Sequence, residues 1–300
     1  MIRDVASAAR DRWAEWLAER RFGGDPRARE EILGRLARIR NEILDRAELR
    51  EGETLLDVGC GEGLIGFRAL ERGAGSVIFS DISTDLLDLC REAAGALGVL
   101  DRCRFVEASA EDLGPVDGES VDVVATRAVL IYVQEKATAL GEFARVLRPG
   151  GRISLHEPIN RFGAGERRRS SFGYPADGLE EITAKLWAVY EAIQPPDSDP
   201  MLDFDERDLL RLAEKAGFFP ISLGLEAVVE PLPPRGWDGF LDSAWNPNVP
   251  TLREAMEQVL TTDEREHLTA QLRPPVERGE GEWRMALSYL AGTKPDGAKA

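Results

Sequence analysis

Between Leu55 and Gly66 the sequence reads LLDVGCGEGLIG, a short apolar run that closes on Gly59, Gly61, Gly63 and Gly66. An apolar run of this length reads as a buried strand. Glycines at this spacing let the backbone turn sharply into a helix and approach a ligand closely. The segments that follow repeat the pattern. SVIFSDI, CRFVEA, VDVVATR and RISLHEP read as strands, and TDLLDLCREAAGAL and KATALGEFARVL read as helices. Strands alternating with helices over this span predict a parallel sheet covered on both faces, an α/β doubly wound fold.

In such a sheet ligands bind beyond the carboxyl ends of the strands, so the glycine turn is the place to ask what is bound. Gly61, Gly63 and Gly66 satisfy GxGxxG, but that spacing alone leaves dinucleotides, nucleotide phosphates and S-adenosylmethionine (SAM) open. The charges narrow the choice. Asp57 ends the strand and Glu62 lies inside the turn, while no Lys or Arg occurs from Leu55 to Phe67, which excludes a P-loop. A pyrophosphate beside Asp57 would meet like charge, at roughly 4 kcal/mol for a pair ~4 Å apart at an effective dielectric of about 20. SAM has an ammonium, a sulfonium and no phosphate, so the same carboxylate would attract it. Asp81 ends the second strand, where a carboxylate can accept hydrogen bonds from both ribose hydroxyls. NAD enzymes also use an acid there. Ile82 would lie against the adenine face.

At this point the residues resemble the class I SAM-dependent methyltransferases, in the small-molecule branch that includes ubiquinone/menaquinone-biosynthesis-type enzymes. The likeness rests on LLDVGCGEG, SDIS with Asp81, EASAEDL, VDVVATRAVLIYV and ARVLRPGGRISLHEP, in that order over roughly residues 50–160. It implies a Rossmann-like seven-stranded sheet with one antiparallel strand, SAM as cofactor and S-adenosylhomocysteine (SAH) as product. It also implies that Asp57, Gly59, Cys60 and Gly61 line the methionine portion. Asp81 would hold the ribose, Ser109, Ala110 and Glu111 would surround the adenine edge, and Thr126 and Arg127 would stand beside the reactive methyl. Relatives often have Asp where this chain has Ser109, and a neutral hydroxyl makes a weaker contact.

The remaining segments divide as follows. Residues 1–50 form an N-terminal helical cap, with helices over 4–21 and after Asp25-Pro26, an N-cap followed by a proline at the first helical position. Residues 51–159 are the cofactor-binding core. A polar insertion, 160–203, carries one helix, and 204–230 continue the core. A second helical insertion spans 231–282, 283–293 close the sheet, and 294–300 are a tail. By topology both insertions lie at the cofactor edge and, with the N-terminal helices, roof the reactive methyl.

For chemistry the chain offers few candidates. His156 and Glu157 end the fifth strand; either could accept a proton, or His156 could serve packing or a substrate hydrogen bond. Arg127 could bind an anionic substrate group, the cofactor carboxylate or a structural partner. Tyr132 and Trp245 are candidate acceptor contacts. His267 is expected to be exposed.

The composition bounds the partners. A net charge of −16 opposes a nucleic-acid backbone, and the one basic cluster, Arg167–Arg169, reads as a solvated loop. Three cysteines, without CxxC or a Cys/His cluster, fit a reducing compartment and no metal. No apolar run approaches the ~20 residues of a membrane span, and the charged N-terminus lacks a secretory core. A cytoplasmic monomer or homodimer acting on a small-molecule methyl acceptor is the expectation. A nicotinamide-dependent oxidoreductase and a non-catalytic SAM-binding module are the alternatives.

Overall fold

A computed structural model describes residues 10–175 and 178–296, without the side chains of residues 166–169. Its sheet has seven strands in the order β3-β2-β1-β4-β5-β7-β6. These are β1 (Thr54–Val58), β2 (Ser76–Asp81), β3 (Cys103–Glu107), β4 (Val121–Arg127), β5 (Leu147–Pro158), β6 (Ile221–Pro231) and β7 (Glu282–Thr293). The first five are mutually parallel, and β7 runs antiparallel to both β5 and β6. The chain leaves β1 toward β2 on one side and returns to β4 on the other. The crevice between β1 and β4 is therefore the topological switch point, where ligands bind in open α/β sheets.

Both faces of the sheet are covered, which is why β1, β2 and β4 read as nearly continuous apolar runs rather than alternating ones. On one face α2 (Pro26–Arg46), α3 (Leu64–Glu71) and α4 (Thr84–Ala96) pack Leu36, Ile43, Ile65, Ala69 and Cys90 against Leu55, Phe79 and Val123. On the other, α5 (Lys136–Val146) and, past two further helices, a helix at Glu206–Lys215 pack Leu140, Phe143 and Leu209 against Val124, Ile153 and Leu155. Asp25 caps α2 through the Arg27 and Ala28 amides, with Pro26 at the first helical position.

Gly66 lies where α3 crosses the sheet. A Cβ there would stand 2.3 Å from the buried Phe79 ring, so Gly66→Ala should lower stability by about 1–3 kcal/mol through overpacking. Urea unfolding should show this as a shifted midpoint with an unchanged slope; an unshifted midpoint would mean that the ring yields freely.

The insertions correct the sequence reading in two places. Residues 160–203 carry two helices, α6 (Arg161–Arg169) and α7 (Glu180–Ile193), rather than one, and Arg167–Arg169 fall in α6 rather than in a loop. Glu206–Lys215 is then α8. The pattern after residue 231 becomes α9 (Trp237–Leu241), α10 (Leu252–Val259) and α11 (Thr262–Arg278), the last two begun by capping boxes at Thr251 and Thr261. The first helix, α1 (Arg12–Glu15), is capped by Asp11 and runs into a π-helical turn at Trp16–Arg20; residues 4–9 of the expected helix, and 297–300 of the tail, lie outside the described residues.

The two insertions share one apolar cluster. Leu186 and Tyr190 of α7 pack with Trp237, Leu252, Met256 and Leu268, and Trp16 of the N-terminal segment packs against them. The Trp16 indole donates to the Ala244 carbonyl at 2.8 Å, and Arg20 pairs with Glu254 at 2.6 Å. These contacts tie both insertions to the segment that covers the glycine turn. Among the described residues no helix is long and apolar enough to cross a membrane.

Candidate functional site

The turn after β1 is held by two carboxylates. Asp57 is buried, and its Oδ2 accepts from the Gly66 amide at 2.9 Å, inside the first turn of α3. The helix-capping role is thus present, and the acid faces the turn from behind. Burial pushes its pKa up to about 7. Asp81 reaches across from β2: its Oδ2 accepts from the Gly61 amide at 2.9 Å, and its Oδ1 from the Ser83 amide at 3.0 Å. Each Asp81 oxygen keeps a lone pair, and burial raises this carboxyl too. Ser83 caps α4 and donates to Asp11 at 2.5 Å, which anchors the N-terminal segment beside Asp81.

A cavity of about 100 Å³ opens on the turn, lined by Asp57, Gly59, Cys60, Gly61, Glu62 and Arg127 and, from above, by Leu17, Arg21, Leu33 and Leu36. It is smaller than the ~300 Å³ of an ordinary ligand site because the N-terminal helices fill the cleft. Gly61, at φ +54°, has only Leu17 near a would-be Cβ, so a side chain there would enter the cavity. Gly59 serves differently: its Cβ would strike Val129 at 2.4 Å. A second depression, about 380 Å³, lies on α11 along Thr262, Arg265 and Glu266, where one helix surface gathers no converging groups. His267 is exposed on the same helix.

The expected adenine-side residues sit at the ends of β2 and β3. Ile82 is 51% exposed, an apolar side chain left uncovered beside Asp81. Ala110 is buried, the Ser109 hydroxyl accepts from the Glu111 amide at 3.2 Å, and the Glu111 carboxylate accepts from the Glu135 amide at 2.8 Å.

Four of the expected site residues have side chains that do not line this cavity. Thr126 is wholly buried on the face opposite Arg127, with its hydroxyl 3.5 Å from Glu157, so its side chain does not stand at the cavity. Glu157 is also buried on that face. Its oxygens accept from the amides of Val129, Leu130 and Ile131 at 3.0, 3.0 and 3.2 Å, so it anchors the loop after β4 rather than meeting an acceptor. His156 shares Arg127's face through strand register, packs edge-on to Tyr289, and has both ring nitrogens buried without a partner. Burial, with Arg127 nearby, lowers its pKa to about 3, which makes it neutral at physiological pH and a poor base. Trp245 packs at a tilt against Tyr190 in the roof, donates to Gln194 and does not line the cavity. Tyr132 lies in a single 3₁₀ turn, Leu130–Tyr132, edge-on to Trp13.

Sequence reasoning missed Leu17, Arg21, Leu33 and Leu36 as cavity residues. Only their place in the N-terminal cap hinted at them. Among the described residues no group of three or more His, Cys, Asp or Glu could hold a metal ion.

The arrangement suits a cationic nucleoside. The turn presents backbone and acid, Asp81 offers two free lone pairs, and the turn itself carries no Lys or Arg, the two cations at the cavity being Arg21 and Arg127 on its rim. Because burial holds the Asp57 pKa at about 7, affinity for SAH, whose α-ammonium would face it, should rise roughly tenfold from pH 6 to pH 8. Titration calorimetry should give a flat profile for Asp57→Asn; an equal rise in that variant would assign the effect elsewhere.

Comparison with known proteins identifies the family. A family model described as a methyltransferase domain matches residues 56–155. The chain is 38% identical over 101 residues to a tRNA 5-carboxymethoxyuridine methyltransferase of Escherichia coli, covering 34% of this chain and 38% of that protein. It is 30% identical over 189 residues to a ubiquinone/menaquinone biosynthesis C-methyltransferase, UbiE, of Hahella chejuensis, covering 62% of this chain and 69% of the relative. A solved geranyl diphosphate methyltransferase in complex with SAM superposes with a TM-score of 0.51 at 19% identity, over 91% of this chain and 94% of that one. The chain thus spans well under half of the E. coli relative and about two thirds of the Hahella one.

Proposed function

Because this chain belongs to the class I SAM-dependent methyltransferases, we propose that it passes the cofactor's methyl group to a small-molecule acceptor by in-line displacement, releasing SAH. One observation carries the site assignment. Two carboxylates, Asp57 and Asp81, converge on a glycine turn that has no cation between Leu55 and Phe67. In this reading Asp81 binds the ribose hydroxyls, and the Gly59–Gly61 backbone with Asp57 receives the methionine portion. Ile82 covers the adenine face, and Ser109, Ala110 and Glu111 border its edge. The bound cofactor supplies an activated methyl on a sulfonium.

The protein's part is then alignment and exclusion of water. Leu17, Leu33 and Leu36 close the cavity from above. Methyl transfer neutralises the sulfonium, so a dry cavity favours the product side electrostatically. No base is assigned: His156 is neutral and enclosed, and Glu157 is saturated by backbone amides. The acceptor must therefore arrive as a competent nucleophile or lose its proton to water.

Family membership sets aside the oxidoreductase alternative. The E. coli relative's name raises a tRNA acceptor, but a net charge of −16 works against a polyanion and favours a small molecule. Incubation with methyl-labelled SAM and a metabolite extract should move label into a low-molecular-weight product. Label recovered in the RNA fraction would replace the acceptor class, and label left wholly in SAM would favour a non-catalytic cofactor-binding module.

A further inference from the structure

The strand at one end of the sheet, β6, has a neighbour on one side only. It pairs with β7 over its full length, Ile221–Pro231, without a register shift. Its other side turns a row of backbone donors and acceptors to solvent. Leu225, Glu226 and Ala227 are exposed in succession, so both faces of the strand are open there, and Val229 is 51% exposed. Soluble proteins blunt such an edge with lysine, internal proline, a bulge or a covering helix. β6 has no lysine, its one proline is its last residue, and its ladder is regular. The helical layer covers only the Ile221–Leu223 end. An uncovered edge of this kind is a template for another strand.

The side chains say which strand. Ile221, Leu223, Leu225, Ala227 and Val229 share one face of β6 and are all apolar; Ser222, Gly224, Glu226, Val228 and Glu230 share the other. Glu230 is answered by Arg35 of α2 at 2.5 Å, whereas Glu226 has no hydrogen bond or ion pair among the described residues. Arg46 of α2 lies over Gly224, where a Cβ would stand 2.9 Å from its Nη2. Its Nε donates to Glu42 at 2.7 Å, and among the described residues its Nη atoms donate to nothing. An antiparallel pairing of β6 with β6 of a second copy is self-complementary. Full overlap would set Glu226 against itself, like charge on like charge. Moving the centre by one residue, to Leu225, removes that clash. Leu225 then meets itself, Leu223 meets Ala227 and Ile221 meets Val229, apolar against apolar throughout. On the other face Glu226 lands opposite Gly224, beside the free Nη atoms of Arg46 of the second copy, and the symmetry makes this contact twice. We propose that β6 joins two copies of this chain in the register centred on Leu225, fusing two seven-stranded sheets into one. The contact consumes the β6 edge of both copies, so the assembly closes at a dimer.

Sedimentation velocity of the full chain, from about 1 to 100 μM, tests the assembly. The parent should be a dimer at the upper end. Leu225→Lys sets two ammonium groups on the symmetry axis and should weaken the dimer at least tenfold. Glu226→Lys faces Arg46 of the second copy and should weaken it at least threefold. Both positions are exposed, so the monomer should keep its fold. Cross-linking reads the register separately. Oxidised Leu225→Cys should give a covalent dimer. Ala227→Cys should not, because its two copies lie about 13 Å apart along the strand, beyond the ~7 Å that a disulfide spans between Cα atoms. The parent, whose own cysteines are buried or half-buried, is the control. A parent chain that stays monomeric at about 100 μM overturns the inference and leaves the edge to a strand of another protein. So does a dimer that both lysine variants leave intact, which would place the contact on another surface. Cross-linking of Ala227→Cys as fast as Leu225→Cys refutes the register. None of these readouts uses the cofactor, so the inference stands or falls apart from the methyl-transfer reading.

Discussion

Replacing Asp81 with alanine is expected to weaken SAH binding at least about 100-fold, a loss of roughly 2.7 kcal/mol or more, measured by titration calorimetry. The carboxylate does two jobs that no neighbour can assume. It fixes the Gly61 amide and so sets the shape of the turn, and it fixes Ser83 at the start of α4. It also retains one lone pair on each oxygen for the ribose. Charge-assisted hydrogen bonds of this kind are worth about 1.5–3 kcal/mol each, so losing two accounts for the size of the effect. Asp81→Asn keeps the shape and one acceptor oxygen, and its loss should be intermediate. A weakening below fivefold in the alanine variant would remove Asp81 from the ribose site.

Glu157→Ala should lower folding stability by about 3–5 kcal/mol, with a smaller cost of about 1–2 kcal/mol for Glu157→Gln. The alanine leaves the amides of Val129, Leu130 and Ile131 without an acceptor in a water-poor interior. Glutamine restores one acceptor oxygen but buries an amide group with no acceptor of its own. Urea denaturation checks both, and a cost under 1 kcal/mol for the alanine would mean that the loop after β4 holds itself. The consequence reaches the cofactor turn. Val129 lies where a Gly59 Cβ would be, so a slack loop loosens the wall against which Gly59 is set. SAH affinity should therefore fall in Glu157→Ala, although Glu157 touches no cavity.

The pH dependence of stability also involves this residue. Burial raises the Glu157 carboxyl to about 7, above its unfolded value. Between about pH 4.5 and 7 the folded protein holds a proton that the unfolded chain releases, so this group's contribution falls as pH rises through that window. His156 acts in the opposite sense, because its pKa is lowered on folding: its contribution is full above about pH 6.5 and is lost as pH falls toward 3.

The sequence carried the core because the signals there are local and periodic. The apolar runs of β1, β2 and β4, the glycine turn and the acid closing β2 each announce themselves within a few residues. What stayed illegible depends on tertiary placement. Leu17, Arg21, Leu33 and Leu36 reach the cavity only because α2 packs on the sheet and Trp16 bonds to Ala244 in the second insertion, contacts more than 200 residues apart in the case of Trp16. The face that Thr126 and Glu157 take was legible in the sequence. Side chains alternate along a strand, so Thr126 must share the face of Val124 and oppose Arg127. For His156 the strand and face could be read, but not the absence of partners at both ring nitrogens, which is a property of the packed interior.

The central claim is that the acidic glycine turn selects a cationic nucleoside and rejects a polyanionic one. Calorimetric titration of the unaltered protein with SAH and, separately, with NADH tests it most directly. The account predicts one saturable SAH site per chain and no binding heat from NADH. Saturable binding of NADH that SAH does not displace would contradict it.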